Sequence, residues 1–256
     1  MCATCGCSGQ ADDHVPGAQH RHGHSSGDGS KLVRLERDLL AKNDHIAQHN
    51  RVWLAEHGVA AVNVMSSPGA GKTTLLERTA RDLAAEIPIA VVEGDQETHL
   101  DADRIEAAGV PVVQVNTGVG CHLDAEMVQR ALASLDPPRG SLVFVENVGN
   151  LVCPALFDLG EHRRAVVMST TEGADKPTKY PRMFAGADLV LLNKVDLLPY
   201  LDFDIAAFRA DLSKVSPRAD VLPVAATTGA GLDGWYTWLR GLLDAVARRQ
   251  PEQAMR

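Results

Sequence analysis

The octapeptide Ser66-Ser67-Pro68-Gly69-Ala70-Gly71-Lys72-Thr73 carries the residue types that hold a polyphosphate. It fits GxxxxGK[ST] with Ser66 in the first glycine position. Gly69 and Gly71 let backbone amides turn inward on phosphate oxygens, with Ser67, Ala70 and Thr74 completing the cradle. Lys72 supplies positive charge at the β/γ end, and Thr73 offers a hydroxyl to Mg²⁺. Downstream stands Asn193-Lys194-Val195-Asp196. Asp196 can accept from guanine N1–H and the exocyclic amine, a donor pair that adenine lacks. Lys194 can lay its stem over the purine, Asn193 can tie this loop to the phosphate loop, and the amides of Ala225, Ala226 and Thr227 can back the base. Alone, such a tetrapeptide is more often a polar turn; following a phosphate loop, it reads as a guanine reader.

Two acidic segments lie between these motifs, Glu93-Gly94-Asp95 and Glu146-Asn147-Val148-Gly149. Carboxylates at the carboxyl ends of parallel strands face the ligand crevice, so Asp95 and Glu146 are candidates to hold Mg²⁺ directly or through water. Glu146 stands where many GTPases carry the Asp of DxxG, which leaves direct ligation by it open.

A second chemistry belongs to thiols and imidazoles. Cys2, Cys5 and Cys7 open the chain, and three thiolates plus a nitrogen donor suit planar Ni²⁺, with tetrahedral Zn²⁺ as the competing ion. His14, His20, His22 and His24 follow in a polar stretch that reads as a nickel store or as a solvated spacer. Farther on come Gly120-Cys121-His122 and then Cys153. Side chains of adjacent residues on a helix diverge by about 100°, so Cys121 and His122 can share an ion only at a loop or helix start. A buried cysteine pair with a capping histidine is the alternative.

The elements that position these residues are legible as hydrophobic runs. Val59–Met65, Ile87–Val92, Val112–Val115, Leu142–Val145, Ala165–Met168, Leu189–Leu192 and Val221–Val224 read as strands. Helices are expected over Leu32–His57, capped by Ser30 and ended by Gly58, then near Thr73–Glu86, Leu100–Ala108, Leu123–Ser134, Phe203–Ser213 and Leu232–Arg249. The alternation predicts an α/β fold of the P-loop NTPase three-layer kind with a mostly parallel sheet. Residues 1–30 read as a disordered Cys/His-rich metal-binding tail, 31–250 as the GTPase domain and 251–256 as a C-terminal tail.

Composition narrows the classes further. The 256 residues carry a formal charge of −8, which argues against a nucleic-acid or acidic-membrane partner. Apolar runs are far shorter than the ~20 residues of a membrane helix. The first residues do not resemble a secretory leader, so a cytoplasmic protein is expected. Five cysteines are too few for a disulfide framework and read as potential metal ligands.

The segments SSPGAGKTTLLERT, EGDQET, ENVGNLVCPA, EGADKPTKYP and NKVDLLP together resemble the HypB family, the hydrogenase nickel incorporation GTPases, over most of residues 32–245. The opening CATCGC is similar to the CxxCGC nickel motif of some members, and Ser66 and Glu146 look normal for the family. The resemblance implies a P-loop GTPase that binds GTP/GDP with Mg²⁺ and dimerises around nucleotide; no arginine finger or glutamine is identifiable in the sequence, so slow intrinsic turnover is expected. It implies Ni²⁺ delivery to the precursor of the [NiFe]-hydrogenase large subunit, together with a HypA-type small metallochaperone. It also implies that Cys121, His122 and Cys153 form a metal site at the dimer interface, which a second copy completes. Lys176 and Lys179 are candidates to sense the nucleotide or join the interface, with a solvated loop as the alternative. The rival readings are a related GTPase serving urease or a cobalamin-dependent mutase, and a nickel-storage protein with a vestigial GTPase site.

Overall fold

The seven apolar runs become seven strands: β1 (Ala60–Ser66), β2 (Ile89–Asp95), β3 (Val112–Asn116), β4 (Leu142–Glu146), β5 (Arg163–Ser169), β6 (Leu189–Asn193) and β7 (Asp220–Pro223). The computed structural model describes residues 28–253 except 96–99 and 119, so Cys2, Cys5, Cys7 and the histidines up to His24 lie outside the described residues. The strands form one sheet in the order β3-β2-β4-β1-β5-β6-β7. Each neighbouring pair runs parallel, so the sheet is parallel throughout rather than mostly so. Parallel strands need crossovers that cover both faces, and a strand buried on both faces reads as a continuous apolar run.

The crossovers and termini supply α1 (Asp28–His57), α2 (Lys72–Leu83), α3 (Leu100–Glu106), α4 (Ala125–Leu135), α5 (Lys176–Lys179), α6 (Pro181–Ala185), α7 (Ile205–Val215) and α8 (Leu232–Gln253). The expected Ser30 cap is corrected: α1 already runs from Asp28, which leaves Ser30 inside its first turn. That turn is polar, so apolar periodicity gives no sign of it. The fourth helix starts at Ala125 rather than Leu123, because the Asp124 carboxylate accepts from Met127 N at 2.8 Å and sets the cap there. The α5 and α6 helices of four and five residues fall where only loop was expected, being too short to show a period.

Apolar layers cover both sides of the sheet. Val62, Val91 and Phe144 pack under α2 and α8 on one side, with Trp235 fully buried and its Nε1 donating to Thr79 Oγ1 at 3.0 Å. On the other side Val92 and Val145 pack with Leu54 of α1 and Leu132 of α4, and Met168 and Leu192 with Phe184 of α6 and Phe208 of α7. Among the described residues no helix is long and apolar enough to cross a membrane. Because β4 and β5 flank β1 on opposite sides, the connections diverge there, which opens a crevice at the carboxyl ends of the central strands.

Candidate functional site

The phosphate loop leaves β1 at Ser66 and enters α2 at Lys72. Gly71 adopts φ 97°, and a Cβ there would lie 2.5 Å from Asn193 Nδ2, so only glycine fits. Asn193 Nδ2 in turn donates to Ala70 O at 2.9 Å and Lys194 Nζ to Gly69 O at 2.7 Å, which fastens the loop after β6 to the phosphate loop. Lys72 is buried and donates to Ser66 Oγ at 2.9 Å. Burial pushes its ammonium below the usual lysine range, against the nearby charges of Glu146, Asp101, Glu93 and Asp95. Ser67 Oγ donates to Glu172 Oε2 at 2.5 Å, and Thr74 Oγ1 accepts from Arg104 at 3.1 Å.

Thr73 Oγ1 donates to Glu146 Oε1 at 2.7 Å, while Glu146 Oε2 is buried without a hydrogen-bond partner. Burial pushes the Glu146 carboxyl up, opposed by Lys72 and by the Thr73 hydroxyl. Asp95 is half-buried at the end of β2. A hydroxyl, a carboxylate oxygen lacking a partner and a second carboxylate at one strand rim are hard oxygen donors that fit Mg²⁺. The bond from Thr73 to Glu146 meanwhile holds the two in register.

At the far side of the crevice Asp196 is exposed in the first turn of the 3-10 segment Val195–Tyr200, with Lys194 in the left-handed region at φ 63°. The amides of Ala225 and Ala226 are already engaged, with Ala230 O at 2.9 Å and Asn193 Oδ1 at 3.1 Å. Backing of a base by those two amides would therefore require these bonds to open.

The thiol and imidazole residues of the folded domain also converge. Ligand atoms of Cys121, His122 and Cys153 lie within 4.8 Å of one another, the one such group of three among the described residues. Cys121 Sγ stands 3.9 Å from His122 Nδ1, in the turn before α4, where the chain is not helical. The His122 ring stacks on Phe157 at 3.8 Å between centroids, and burial lowers its pKa, which favours the neutral ligating form. Cys153 is buried at the start of the 3-10 turn Cys153–Leu156, and Asn150 Oδ1 accepts from its amide at 3.4 Å.

This cluster is joined to the nucleotide rim by Asn147, which follows Glu146. Asn147 Oδ1 accepts from Leu123 N at 3.1 Å and from Val148 N at 3.0 Å. Leu123 follows His122, and its side chain fills the space beside Gly94, where a Cβ would come within 2.7 Å. Lys176 sits in α5 rather than a loop, 3.2 Å from Glu172, and Lys179 pairs with Asp175 at 2.7 Å.

Two site acids escaped the sequence reading. Glu93 was named only as part of its segment, although it faces the same side of β2 as Asp95 by strand alternation. Glu172, which accepts from Ser67 of the phosphate loop and from Ser169 N at 3.0 Å, has no local signature.

Comparison with known proteins gives the family. A family model described as CobW/HypB/UreG, nucleotide-binding domain, matches residues 60–223. The chain is 51% identical over 231 residues to the hydrogenase maturation factor HypB of Rhizobium leguminosarum bv. viciae, covering 90% of this chain and 74% of that one. The crystal structure of HypB from Archaeoglobus fulgidus is 40% identical with a TM-score of 0.75, covering 80% of this chain and 100% of its own. That of HypB from Helicobacter pylori, in complex with nickel, is 35% identical with a TM-score of 0.73, covering 82% of this chain and 97% of its own. The chain thus belongs to the HypB family of hydrogenase maturation factors, within the CobW/HypB/UreG nucleotide-binding domains.

Proposed function

We propose that this chain is a cytoplasmic, GTP-hydrolysing nickel metallochaperone that couples GTP binding and hydrolysis to Ni²⁺ delivery in [NiFe]-hydrogenase maturation. In this reading Ser67, Gly69, Ala70, Gly71 and Thr74 cradle the phosphates, and Asn193, Lys194 and Asp196 seat guanine. Thr73, Glu146 and Asp95 would hold Mg²⁺. The bound ion supplies neutralisation of charge on the β- and γ-phosphate oxygens. Lys72 exchanges its Ser66 partner for phosphate oxygens and stabilises charge as water attacks the γ-phosphorus and the bond to the β-phosphate oxygen breaks. No arginine finger or glutamine stands out among the described residues, so slow intrinsic turnover is expected.

Ni²⁺, or Zn²⁺ in competition, is the cargo. Cys121, His122 and Cys153 give three ligands from one chain, and a nucleotide-dependent homodimer would complete the coordination. Cys2, Cys5 and Cys7 would hold a second, thiol-rich site. A HypA-type metallochaperone and the hydrogenase large-subunit precursor are the partners in this reading.

The observation that carries the coupling is the Asn147 bridge. It hydrogen-bonds Leu123, next to His122, and directly follows Glu146, which Thr73 of the phosphate loop contacts. A change of nucleotide at Thr73 and Glu146 thus has a short covalent and hydrogen-bonded path to the imidazole. The test is the nickel content of hydrogenase large subunit from cells lacking this chain, grown in low and in supplemented nickel. Loss of loading in low nickel with recovery on supplementation is expected, and normal loading in low nickel would remove the assignment. Phosphate release from GTP but not ATP separates this reading from nickel storage, which needs neither nucleotide.

A further inference from the structure

Glu93 ends the apolar stretch of β2 directly beside Glu146, its partner in the parallel register of β2 with β4. The two residues are 2% and 3% exposed, and each leaves its Oε2 atom without a hydrogen-bond partner. Buried polar atoms are almost always satisfied, and adjacent strands lie only about 4.8 Å apart. Two orphaned carboxylate oxygens on paired positions of neighbouring strands make a place where one bound cation would satisfy both. The buried ammonium nearby, Lys72, donates to Ser66 Oγ at 2.9 Å and satisfies neither orphaned oxygen. Strand alternation puts Ser66, Glu93 and Glu146 on the face of the sheet that packs against α2, and Thr73 already contacts Glu146 there.

We propose that Glu93 is a third carboxylate of the Mg²⁺ site, holding the ion or one of its waters from the floor of the crevice together with Glu146 and Thr73. This rests on the reading that the loop binds GTP with Mg²⁺. An octahedral oxygen site that retains several waters has room for a carboxylate beneath the ion as well as for phosphates above it. The ion would then be gripped by protein from below, so part of its affinity would persist without nucleotide.

The test is Mn²⁺ binding followed by electron paramagnetic resonance, with and without GDP, in wild type, Glu93→Gln and Glu93→Asp, alongside GDP binding in EDTA. Glu93→Gln is expected to weaken Mn²⁺ binding at least tenfold in both states and to leave GDP binding in EDTA unchanged, with Glu93→Asp intermediate. Glu93→Asp keeps the charge and guards against a folding defect in the amide variant. Equal Mn²⁺ affinity in wild type and both variants would overturn the proposal and make the Glu93–Glu146 pair a structural feature. Wild type that bound neither GDP nor Mn²⁺ would overturn the nucleotide reading itself.

Discussion

The two ends of the central strands bury acidic residues in opposite ways. At the amino end, Glu161 has both oxygens satisfied: Oε1 accepts from Arg164 Nε at 2.5 Å and from Asn63 Nδ2 at 3.3 Å, and Oε2 from Leu159 N at 2.8 Å. Beside it Asp158 accepts from Arg51 and from Gly160 N at 3.0 Å, and although burial opposes this, those bonds hold its carboxyl below the usual range. At the carboxyl end, Glu93 and Glu146 are as deeply buried, yet each keeps an oxygen without a partner. Burial, with Glu146 and Asp95 adding repulsion, pushes Glu93 up to about 8. The difference separates architecture from chemistry. Carboxylates closed on donors fix a fold, whereas carboxyls that keep an open oxygen are, in the function proposed above, available to a cation.

Substitutions at the two ends should therefore fail differently. The largest effect is expected for Lys72→Ala, which should lower GTP turnover by about 10³-fold, the scale of losing a main electrostatic contact to the transferring group. Its melting temperature should change little, since the desolvation cost of the buried ammonium offsets its bond to Ser66 and its attraction to Glu146 and Glu93; a matching loss of stability would break the contrast. Asp196→Ala should weaken GTP binding by about 2–4 kcal/mol, at least tenfold, through loss of a charged hydrogen-bond pair. Equal GTP and ATP binding by wild type would refute the base-reading role. At the other end, Arg164→Ala should leave turnover unchanged and destabilise the fold by about 2–3 kcal/mol, because Glu161 stays buried without its cation. Reduced turnover with unchanged denaturant midpoint would place function where we read architecture.

The smallest effect is a pH dependence. His162 accepts from Ala61 N through Nδ1 at 3.2 Å, and burial, then Arg249, Arg163 and Arg51, hold it down at about 4. Its folded pKa lies below the ordinary value, so its contribution is present above pH 6.5 and is lost as pH falls toward 4. His162→Gln should flatten that part of the stability profile by roughly 1–2 kcal/mol, allowing for partial solvent access. Identical profiles for variant and wild type in that window would contradict the assignment.

Much of the fold was legible because the central strands, buried on both faces, spell continuous runs of Val, Ile, Leu and Ala, and the partly buried edge strands β3 and β7 keep shorter runs, so all seven stand where the runs lie. The union of phosphate loop and NKxD segment was legible too, since Asn193 reaches Ala70 O as its position suggested. The approach of Cys153 to Cys121 was not readable from spacing, because it depends on where two connections cross the sheet, and only family resemblance pointed to it. The contact of Glu172, named only within the EGADKPTKYP segment, was unreadable for the same reason, since it reaches Ser67 across 105 positions of sequence. The bonds that the amides of Ala226 and Ala225 make to Asn193 and Ala230 were not readable, because they are tertiary contacts that a linear reading leaves open.

Coupling between the nucleotide rim and the Cys121–His122–Cys153 cluster is the central claim, and one titration addresses it. Ni²⁺ would be titrated into protein lacking residues 1–27, bound either to GDP or to a non-hydrolysable GTP analogue, with Cys153→Ala as the control for the site. We predict at least a tenfold difference in Ni²⁺ affinity between the two nucleotide states, a coupling of about 1.4 kcal/mol that vanishes in Cys153→Ala. Indistinguishable affinities in the two states would contradict coupled release and leave GTP to act on partner binding alone.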